Sequence, residues 1–526
     1  MKNLQLLSAI LALITLGQVV NSARILAFLP IVIRSHFLVF APYLNELSSR
    51  GHDIVVVTCF PDLIRDQKVT KIIDLSKDVK IYTEVFSIDE RPISSLAKAI
   101  EFLGFYGLVV KDTADLLRAP GVKKLVEDVG KDNKFDVVIT ELFFTDMFLP
   151  FTHNVPHIAL SSAVPLPWHN ARFANPDNPS YIPHGFGNAP SHMNFWQRLE
   201  NTIFLIFYKF SYTLLVNPMT QRHADGVFGK HFDLAQMTVN TSLFLTNTHV
   251  SLNGVQPLVP AVVEVGGIHI TPTKPLSLEL QSFIDGAEHG VIYFCMGSML
   301  KATTIPDDKR DALVKVFSRL PQRVLWKWEN DTMPGKSDNV KIVKWMPQRD
   351  ILEHPNVKLF ISHGGLLGTT EAVHCGVPII GIPFYGDQAG NIEAVASHGA
   401  GLRLDYNDIN EHNLYDKITQ ILNNPQYAEN AKELSKRFRD RPQSPLETAV
   451  YWTEYVIRHK GAPHLRSAAV DLTWYQYLLL DVIAFLLLLA VTVSLLFYYT
   501  LKFLIKRLFA KSAPTNKTAN KKVKKS

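Results

Sequence analysis

Cysteine is scarce in this sequence, with only Cys59, Cys295 and Cys375 among 526 residues. Three cysteines cannot build the disulfide framework of a small secreted domain. They allow one bridge at most, and their spacing does not say whether one forms or which pair it would join. The chain also shows no group of histidine, cysteine and carboxylate residues at metal-ligand spacing, so we expect no bound metal.

Acidic residues are missing from the C-terminal tail. Residues 502–526 contain nine lysines or arginines and no aspartate or glutamate, although the whole chain has a net charge of only +6. The body that precedes the tail is therefore slightly acidic. Because a nucleic-acid-binding protein needs a basic stripe on its folded part, we expect no nucleic-acid partner.

Both ends of the chain contain apolar segments. Residues 1–22 have the pattern of a cleaved signal peptide, with Lys2 before an apolar stretch and small residues near the cleavage site. Near the other end, Val482 to Leu501 is twenty residues long and carries no charge, which is enough to cross a bilayer as a helix. The sequence therefore predicts a single-pass type I membrane protein.

The basic tail predicts the orientation and the compartment. Because positively charged flanks remain in the cytosol, residues 502–526 are the expected cytosolic tail and the folded body is lumenal. Lys522 and Lys524 resemble the dilysine retrieval signal of endoplasmic-reticulum proteins, with a generic basic flank as the alternative. Asn240 and Asn330 begin lumenal glycosylation sequons.

Strand-like and helix-like segments alternate along the body, which is typical of α/β domains with parallel sheets. A first domain over residues 23–269 has predicted strands at Arg24–Leu29, Asp53–Thr58 and Phe135–Thr140. A proline-containing linker over residues 270–285 leads to a second domain over residues 286–470. The second domain has six predicted strands: Val291–Met296, Val324–Trp328, Val340–Lys344, Val357–Ser362, Val377–Ile382 and Leu402–Leu404. We expect two doubly wound domains facing a cleft, with ligands beyond the carboxyl ends of the strands.

Two stretches of the first domain break this alternation. Residues 165–196 are rich in proline, asparagine, glycine, histidine and aromatic residues, and form either a surface loop or the lining of a pocket. Residues 202–216 are apolar and aromatic, and are short for a membrane span. They are a core helix, a cover over the pocket or a segment in the membrane interface.

The most informative stretch runs from Trp345 to Gln388 and reads WMPQRDILEHPNVKLFISHGGLLGTTEAVHCGVPIIGIPFYGDQ. It resembles the donor-binding signature of the UDP-glycosyltransferases, the superfamily that includes the animal UDP-glucuronosyltransferases. The resemblance covers nearly the whole chain, fits the animal membrane-bound branch, and is strongest to insect members around FDVVITE. It implies two Rossmann-like domains of the GT-B type, with a UDP-sugar as co-substrate and no metal or other cofactor.

Several residues of this motif are expected to bind the nucleotide. The strand end, turn and helix start around His363 and Gly365 let backbone groups and a helix N-terminus approach a diphosphate. Trp345 offers a flat face for the uracil base, and the resemblance implies that Gln348 lies beside the uridine. Glu371, on the following helix, is suited to accept hydrogen bonds from two ribose hydroxyls.

The resemblance implies further donor contacts. Asp387 and Gln388 match the pair that holds the sugar hydroxyls. Gly297 and Ser298 match a turn near the phosphates, and Gly368 and Thr369 complete the predicted donor-binding set. Where many members have asparagine, this chain has Leu367, so one polar contact to the phosphates is missing.

A second departure concerns the donor sugar. Glucuronosyltransferases often have arginine before the asparagine that matches Asn247, and this chain has Thr246 there. Because arginine suits a sugar carboxylate, its absence favours UDP-glucose.

The chemistry requires a base that activates the acceptor hydroxyl, and histidine is suited to that task near neutral pH. His36 follows the first strand at the start of the first helix and matches the catalytic histidine of the family. An acidic partner should orient it, as in catalytic triads. The matching position holds Glu141, where the family has aspartate, and Asp146 is the alternative partner.

The sequence therefore predicts an enzyme that transfers a hexosyl group, with glucose favoured, to a hydroxyl of a small lipophilic acceptor with inversion. Detoxification and the conjugation of a hormone or pigment are the corresponding roles. The alternatives are a UDP-glucuronate enzyme, a biosynthetic lipid glycosyltransferase and a catalytically silent binder of lipophiles or nucleotide-sugars. The sequence does not name the acceptor, and it is compatible with a homo-oligomer.

Overall fold

The structure is a computed structural model that describes residues 22–65, 69–79, 86–87, 95–131 and 134–511. Residues 1–21, with nearly all of the predicted signal peptide, lie outside the described residues. So do residues 512–526, with the dilysine sequence. The three cysteines are free thiols, and Cys59 and Cys295 are buried.

The first lobe is built on a seven-stranded parallel sheet in the order β3-β2-β1-β5-β6-β7-β8. Apolar side chains bury both faces of its central strands, as expected for a sheet covered by helices on both sides. The predicted strands Arg24–Leu29 and Asp53–Thr58 have the observed bounds, and the third ends one residue later than predicted. The strands are β1 (Arg24–Leu29), β2 (Asp53–Thr58), β3 (Lys71–Asp74), β5 (Val137–Glu141), β6 (His157–Ser161), β7 (Thr241–Thr246) and β8 (Val262–Glu264).

Helices cover this sheet. Residues 165–196 are mostly irregular, and residues 202–216 form the end of a helix and a π-helical turn at Tyr212–Val216. That helix begins with a capping box formed by Asn194 and Gln197. The helices are α1 (Arg34–Ser49), α2 (Ser95–Leu117), α3 (Pro120–Asp128), α4 (Asn170–Phe173), α5 (Phe195–Ser211), α6 (Asn217–Phe228), α7 (Leu234–Thr238) and α8 (Val250–Asn253).

The second lobe has a six-stranded parallel sheet in the order β12-β11-β9-β13-β14-β15. Its strands are β9 (Val291–Cys295), β11 (Arg323–Lys327), β12 (Val340–Val343), β13 (Val357–Ser362), β14 (Ile379–Gly381) and β15 (Gly401–Arg403). Its helices are α9 (Leu278–Asp285), α10 (Asp307–Ser318), α11 (Gln348–Leu352), α12 (Leu366–Cys375), α13 (Gln388–Ser397), α14 (Glu411–Asn423) and α15 (Pro425–Arg439). A short parallel pair, β4 (Phe86–Ser87) with β10 (Leu300–Lys301), connects the lobes. All six strands predicted for this domain are present, with ends that shift by up to two residues.

The chain returns to the first lobe after α15. Helix α16 (Pro445–Arg458) begins with a capping box at Ser444 and packs against α1, where the Thr453 hydroxyl hydrogen-bonds to that of Tyr43. Its buried residues Ala449 and Val456 belong to the hydrophobic core of the first lobe. Residues 445–462, which the predicted boundaries assign to the second domain, therefore pack with the first.

Residues 468–526 form a separate unit. After the short helix α17 (Trp474–Tyr477), it contains α18 (Leu480–Lys511), whose segment Leu480–Phe509 is long and apolar enough to cross a bilayer. This helix contains the whole predicted span, Val482 to Leu501, and extends beyond it at both ends.

Candidate active site

His36 lies in the first turn of α1, just beyond the carboxyl end of β1. The strand order of the first sheet reverses between β1 and β5, and crevices at such points bind ligands in doubly wound folds. His36 Nδ1 is 2.8 Å from Oε1 of Glu141, the last residue of β5. The two side chains are 15% and 1% exposed, so the contact is largely shielded from water.

Asp146, the alternative partner, belongs to a different cluster. Its carboxylate is ion-paired with Arg172 on α4 and accepts a hydrogen bond of 3.0 Å from the Tyr212 hydroxyl. Burial, followed by the charge of Asp146, raises the pKa of Tyr212 well above its usual value. Of the two candidate carboxylates, Glu141 contacts His36, whereas Asp146 forms a buried ion pair with Arg172.

Ser162 is a third group at this site, and the sequence analysis did not identify it. It directly follows β6, and its Oγ is 2.8 Å from His36 Nδ1 and 2.6 Å from Glu141 Oε1. Its carbonyl oxygen accepts a hydrogen bond of 2.9 Å from Nδ2 of Asn247, which follows β7. A serine after an apolar strand gives no sequence signal, because its proximity to Glu141 depends on the pairing of β6 with β5.

The two lobes enclose a cleft of about 1210 Å³, and His36 and Glu141 line its first-lobe side. The neighbouring part of the wall is strongly aromatic. Phe143 contacts the His36 ring edge to face, with ring centroids 4.6 Å apart. Further aromatic lining comes from α2, the 165–196 loop and α5, through Phe102, Phe105, Phe186 and Tyr208. This half of the cleft suits a flat, apolar molecule whose hydroxyl reaches His36.

On the opposite wall, His363 follows β13, is half-buried and lies against two glycines. A Cβ at Gly297 would lie 2.5 Å from His363 Cε1, and one at Gly365 would lie 2.5 Å from Nε2. Only glycine fits at these two positions without displacing the ring. Burial, together with the charge of Lys327, lowers the pKa of His363 to about 4. The ring is therefore neutral near pH 7 and presents one N–H at the start of α12.

Lys327 is a donor-side residue that the sequence analysis did not identify. It ends β11 and lines the cleft, although its side chain is only 4% exposed. Its Nζ is 2.9 Å from Glu329 Oε1 and 6.0 Å from the centre of the Trp345 ring. A basic residue that ends an apolar strand is an ordinary sequence feature, so the local pattern gave no signal.

The groups predicted to bind uridine lie next to one another. The Trp345 ring is 59% exposed, which leaves a face open for stacking. Gln348 Nε2 donates a hydrogen bond of 2.6 Å to Glu371 Oε2. Burial raises the pKa of Glu371 to about 7, although the Gln348 hydrogen bond opposes the shift. A Cβ at Gly368 would lie 3.0 Å from Gln348 Nε2, so this glycine leaves room for the amide.

Asp387 and Gln388 line the cleft after β14. Gln388 Oε1 accepts hydrogen bonds from the backbone N–H groups of Phe384 and Tyr385, at 2.8 and 3.2 Å, and so holds the loop in place. Burial raises the pKa of Asp387, and both a hydrogen bond from Asn391 and the charge of His36 oppose the shift. Asp387 and His36 line the same cleft from different lobes.

Four other predicted positions differ in their exposure to the cleft. Ser298 and Leu367 line it, and Leu367 also packs against the hydrophobic core of the first lobe. Thr369 and Thr246 are fully buried and are not among the residues that line the cleft. Because the Thr246 side chain does not line the cleft, the structure does not support the preference for UDP-glucose that was inferred from this residue.

These groups can perform a group transfer between two bound molecules. One wall offers a histidine paired with a carboxylate, and the other offers an exposed aromatic ring, a half-buried carboxylate and a glycine-lined turn at a helix start. Among the residues that the structure describes, no group of three or more histidine, cysteine or carboxylate side chains is arranged to hold a metal ion.

Comparisons with known proteins agree with this geometry. A family model described as "UDP-glucoronosyl and UDP-glucosyl transferase" matches residues 28–514. UDP-glycosyltransferase UGT5 of Dactylopius coccus is 44% identical over 98% of this chain and 98% of its own length. UDP-glucosyltransferase 2 of the same species is 42% identical over 89% and 90%. Human UDP-glucuronosyltransferase 2B7 is 31% identical over 87% and 89%.

Solved structures share the fold at low sequence identity. A UDP-glucose: anthocyanidin 3-O-glucosyltransferase in complex with UDP aligns with a TM-score of 0.54 and 16% identity, over 84% of this chain and 99% of its own. The calicheamicin glycosyltransferase CalG4 aligns with a TM-score of 0.53 and 16% identity, over 83% and 99%. The predicted GT-B fold is therefore confirmed.

Proposed function

The chain belongs to the UDP-glucuronosyl and UDP-glucosyl transferase family, and we propose that it transfers glucose from UDP-glucose to a hydroxyl of a small lipophilic acceptor. The observation that carries this proposal is the His36–Glu141 pair, which lies across one cleft from the donor-binding residues. Asp387 and His36 line this same cleft. A sugar held by Asp387 would thus lie within reach of an acceptor activated by His36.

The proposed reaction is a single in-line displacement. Since His36 Nδ1 faces Glu141, Nε2 is the ring nitrogen left to take the acceptor proton. The acceptor oxygen forms a bond to the anomeric carbon while the bond from that carbon to the diphosphate oxygen breaks, so the configuration inverts. Glu141 stabilises the imidazolium that forms.

The departing UDP gains negative charge, and the second lobe supplies groups that stabilise it. The His363 ring is half-buried and neutral near pH 7, so it can donate a hydrogen bond to the diphosphate. The N-terminus of α12 and the charge of Lys327 act on the same diphosphate. Stabilisation of the leaving group and activation of the nucleophile therefore come from different lobes.

The choice of glucose rests on a relative. UDP-glucosyltransferase 2, at 42% identity, carries that donor class in its name, while the human relative at 31% is named a glucuronosyltransferase. The choice of a lipophilic acceptor rests on the aromatic wall around His36. Such an enzyme would serve detoxification or the conjugation of a hormone or pigment.

We further propose that the protein is anchored in the endoplasmic-reticulum membrane with its body in the lumen. Helix α18 has the length and composition of a membrane span. Asn240 and Asn330 are exposed on the body and are accessible to lumenal glycosylation. Helix α5 and the π-helical turn carry a stripe of exposed apolar residues that suits contact with lipid: Trp196, Leu199, Ile203, Ile206, Phe210 and Leu214.

A product assay on membranes that carry the full chain tests the function. UDP-glucose and UDP-glucuronate are each offered with phenols, flavonoids and steroids, and mass spectrometry detects the added sugar. We expect a hexose adduct that disappears in His36→Ala while UDP binding remains. A glucuronide product would support the proposed glycosyltransferase activity but contradict the proposed preference for UDP-glucose. Activity confined to detergent-solubilised lipid would favour a lipid glycosyltransferase, and UDP binding without any product would favour a silent binder.

A further inference from the structure

Building on the proposed function, in which His36 is the base, we infer that Ser162 is a positioning residue that holds Glu141 and sets the tautomer of His36. The inference rests on a three-way contact. Ser162 Oγ is 2.6 Å from Glu141 Oε1 and 2.8 Å from His36 Nδ1, while Nδ1 is 2.8 Å from the same Oε1. Neither the position of Ser162 in the sequence nor the donor motif points to this role.

The Glu141 carboxylate is held through one of its two oxygens. Oε1 accepts from the Ser162 hydroxyl and, at 3.4 Å, from the Ser162 backbone N–H. Oε2 is buried and has no hydrogen-bond partner among the described residues. An O–H···O⁻ distance of 2.6 Å lies in the range of charge-assisted hydrogen bonds, which are about twice as strong as neutral ones. Ser162 therefore determines where this carboxylate points.

The same contact decides which ring nitrogen of His36 carries the proton. The Ser162 hydroxyl has one proton and donates it in the hydrogen bond to the Glu141 carboxylate. Oγ therefore presents only lone pairs to His36. Nδ1 then faces two acceptors, Ser162 Oγ and Glu141 Oε1, and must itself be the donor. Nε2 is left with its lone pair, which is the form required of a base that acts on the acceptor.

Glutamate makes this support necessary. The Glu141 side chain has one more rotatable bond than an aspartate would have, and that bond must be fixed for the carboxylate to face the ring. Ser162 is itself fixed, since its carbonyl oxygen accepts from Asn247 Nδ2 at 2.9 Å. Asn247 Oδ1 in turn accepts from the Gly267 backbone at 3.3 Å. A chain of hydrogen bonds therefore runs from Asn247 after β7, through Ser162 after β6 and Glu141 at the end of β5, to the proposed base.

A double-mutant cycle in the full-length protein tests the inference. Transfer rates and UDP affinity are measured for Ser162→Ala, Glu141→Ala and the double variant, with long incubations and mass spectrometry for slow variants. Ser161→Ala is the matched control, because this neighbouring buried hydroxyl donates to the Ala163 carbonyl at 3.0 Å instead. Ser162→Thr keeps the hydroxyl and should restore much of the lost rate.

Ser162→Ala should lower kcat about 10- to 100-fold, the effect of a lost hydrogen bond to a charged group. UDP affinity and the rate of Ser161→Ala should stay close to wild type. In the Glu141→Ala background, the Ser162 substitution should change kcat less than about threefold. If Ser162 acts only through Glu141, its loss has little further effect once that carboxylate is gone.

Two outcomes would overturn the inference. One is a Ser162→Ala variant with the kcat of wild type. The other is an equal loss of kcat in the wild-type and Glu141→Ala backgrounds, which would mean that Ser162 acts independently of the carboxylate. A Glu141→Ala variant with full activity would instead refute the proposed pairing of His36 with Glu141. Failure of the proposed function can therefore be told apart from failure of the inference about Ser162.

Discussion

The donor half and the acceptor half of the cleft are assembled in different ways. Most donor-side residues come from one stretch, Trp345 to Gln388, in which consecutive strand ends and helix starts meet at one edge of a sheet. The acceptor half instead combines α1, α2, the ends of β5 and β6, an irregular loop and α5, from His36 to Tyr208. A nucleotide of fixed shape can be bound by a compact local motif, whereas the acceptor pocket depends on the packing of distant segments.

The largest expected effect separates the two carboxylates of the first lobe. Glu141→Ala should lower transfer by about three orders of magnitude, as removal of a triad member does, with UDP affinity unchanged. Asp146→Ala should act on folding instead, because it leaves the buried Arg172 without its counter-charge. That loss should cost about 3–5 kcal/mol of unfolding free energy.

The measurements are product formation, UDP titration and thermal unfolding of each variant. An Asp146→Ala protein that unfolds like wild type but has lost transfer would reverse the assignment of roles. In that case Asp146, and not Glu141, would be the carboxylate that supports the reaction.

The next effect belongs to the donor side. Trp345→Ala should weaken UDP binding about 10- to 100-fold, because stacking on a base contributes about 1–3 kcal/mol. At saturating donor, kcat should change little, since the base lies on the other lobe. Trp345→Phe retains a flat ring and should retain most of the affinity. A fall in kcat without a change in UDP affinity would show that the two halves are not separable in this way.

A smaller effect should appear as a pH dependence of nucleoside binding. Burial raises the pKa of Glu371 to about 7, and only its ionised form can accept hydrogen bonds from both ribose hydroxyls. Uridine, which carries no phosphate, should therefore bind about tenfold more weakly for each pH unit below 7, and equally well above it. Calorimetric titration of uridine at several pH values measures this slope. In Glu371→Gln the slope should disappear, and a slope that persists would assign it to another group.

The smallest effect should arise in the acceptor half. Phe105→Leu keeps an apolar wall but removes a ring, so the KM of a phenolic acceptor should rise about 2- to 10-fold, the range of an aromatic pair. The KM of an aliphatic alcohol and the affinity for UDP should not change. A loss of UDP affinity would mean that the first-lobe wall also shapes the donor site.

The same contrast explains what could be predicted from the sequence. Asp53–Thr58 and Val357–Ser362 were predicted with their observed bounds, because continuous apolar runs bounded by glycine or polar residues are typical of buried parallel strands. Most of the proposed donor-binding residues line the cleft together because their spacing along one motif places them at one sheet edge, whereas Thr369 is buried away from it. His36 could be named by its place after the first strand and by the family resemblance.

Other features could not be predicted from local sequence. Ser162 reaches His36 only because β6 pairs with β5. Lys327 lies near Trp345 because β11 pairs with β12, which ends two residues before Trp345. Strands β6 and β7 were not predicted, since the first lies in a region rich in turns and the second begins within the sequon Asn240-Thr241-Ser242. The return of α16 to the first lobe depends on long-range packing against α1, which no periodicity reveals.

That return means that the chain crosses between the lobes twice. The first crossing follows β8, and the second lies between α15 and α16. The two crossings run side by side, since a Cβ at Gly267 would lie 3.2 Å from the Phe438 ring. Two adjacent covalent connections favour rotation of one lobe against the other about a line through them, and they oppose sliding or separation. Such a rotation would change the width of the cleft between His36 and Asp387 while leaving the seven-stranded and six-stranded sheets intact.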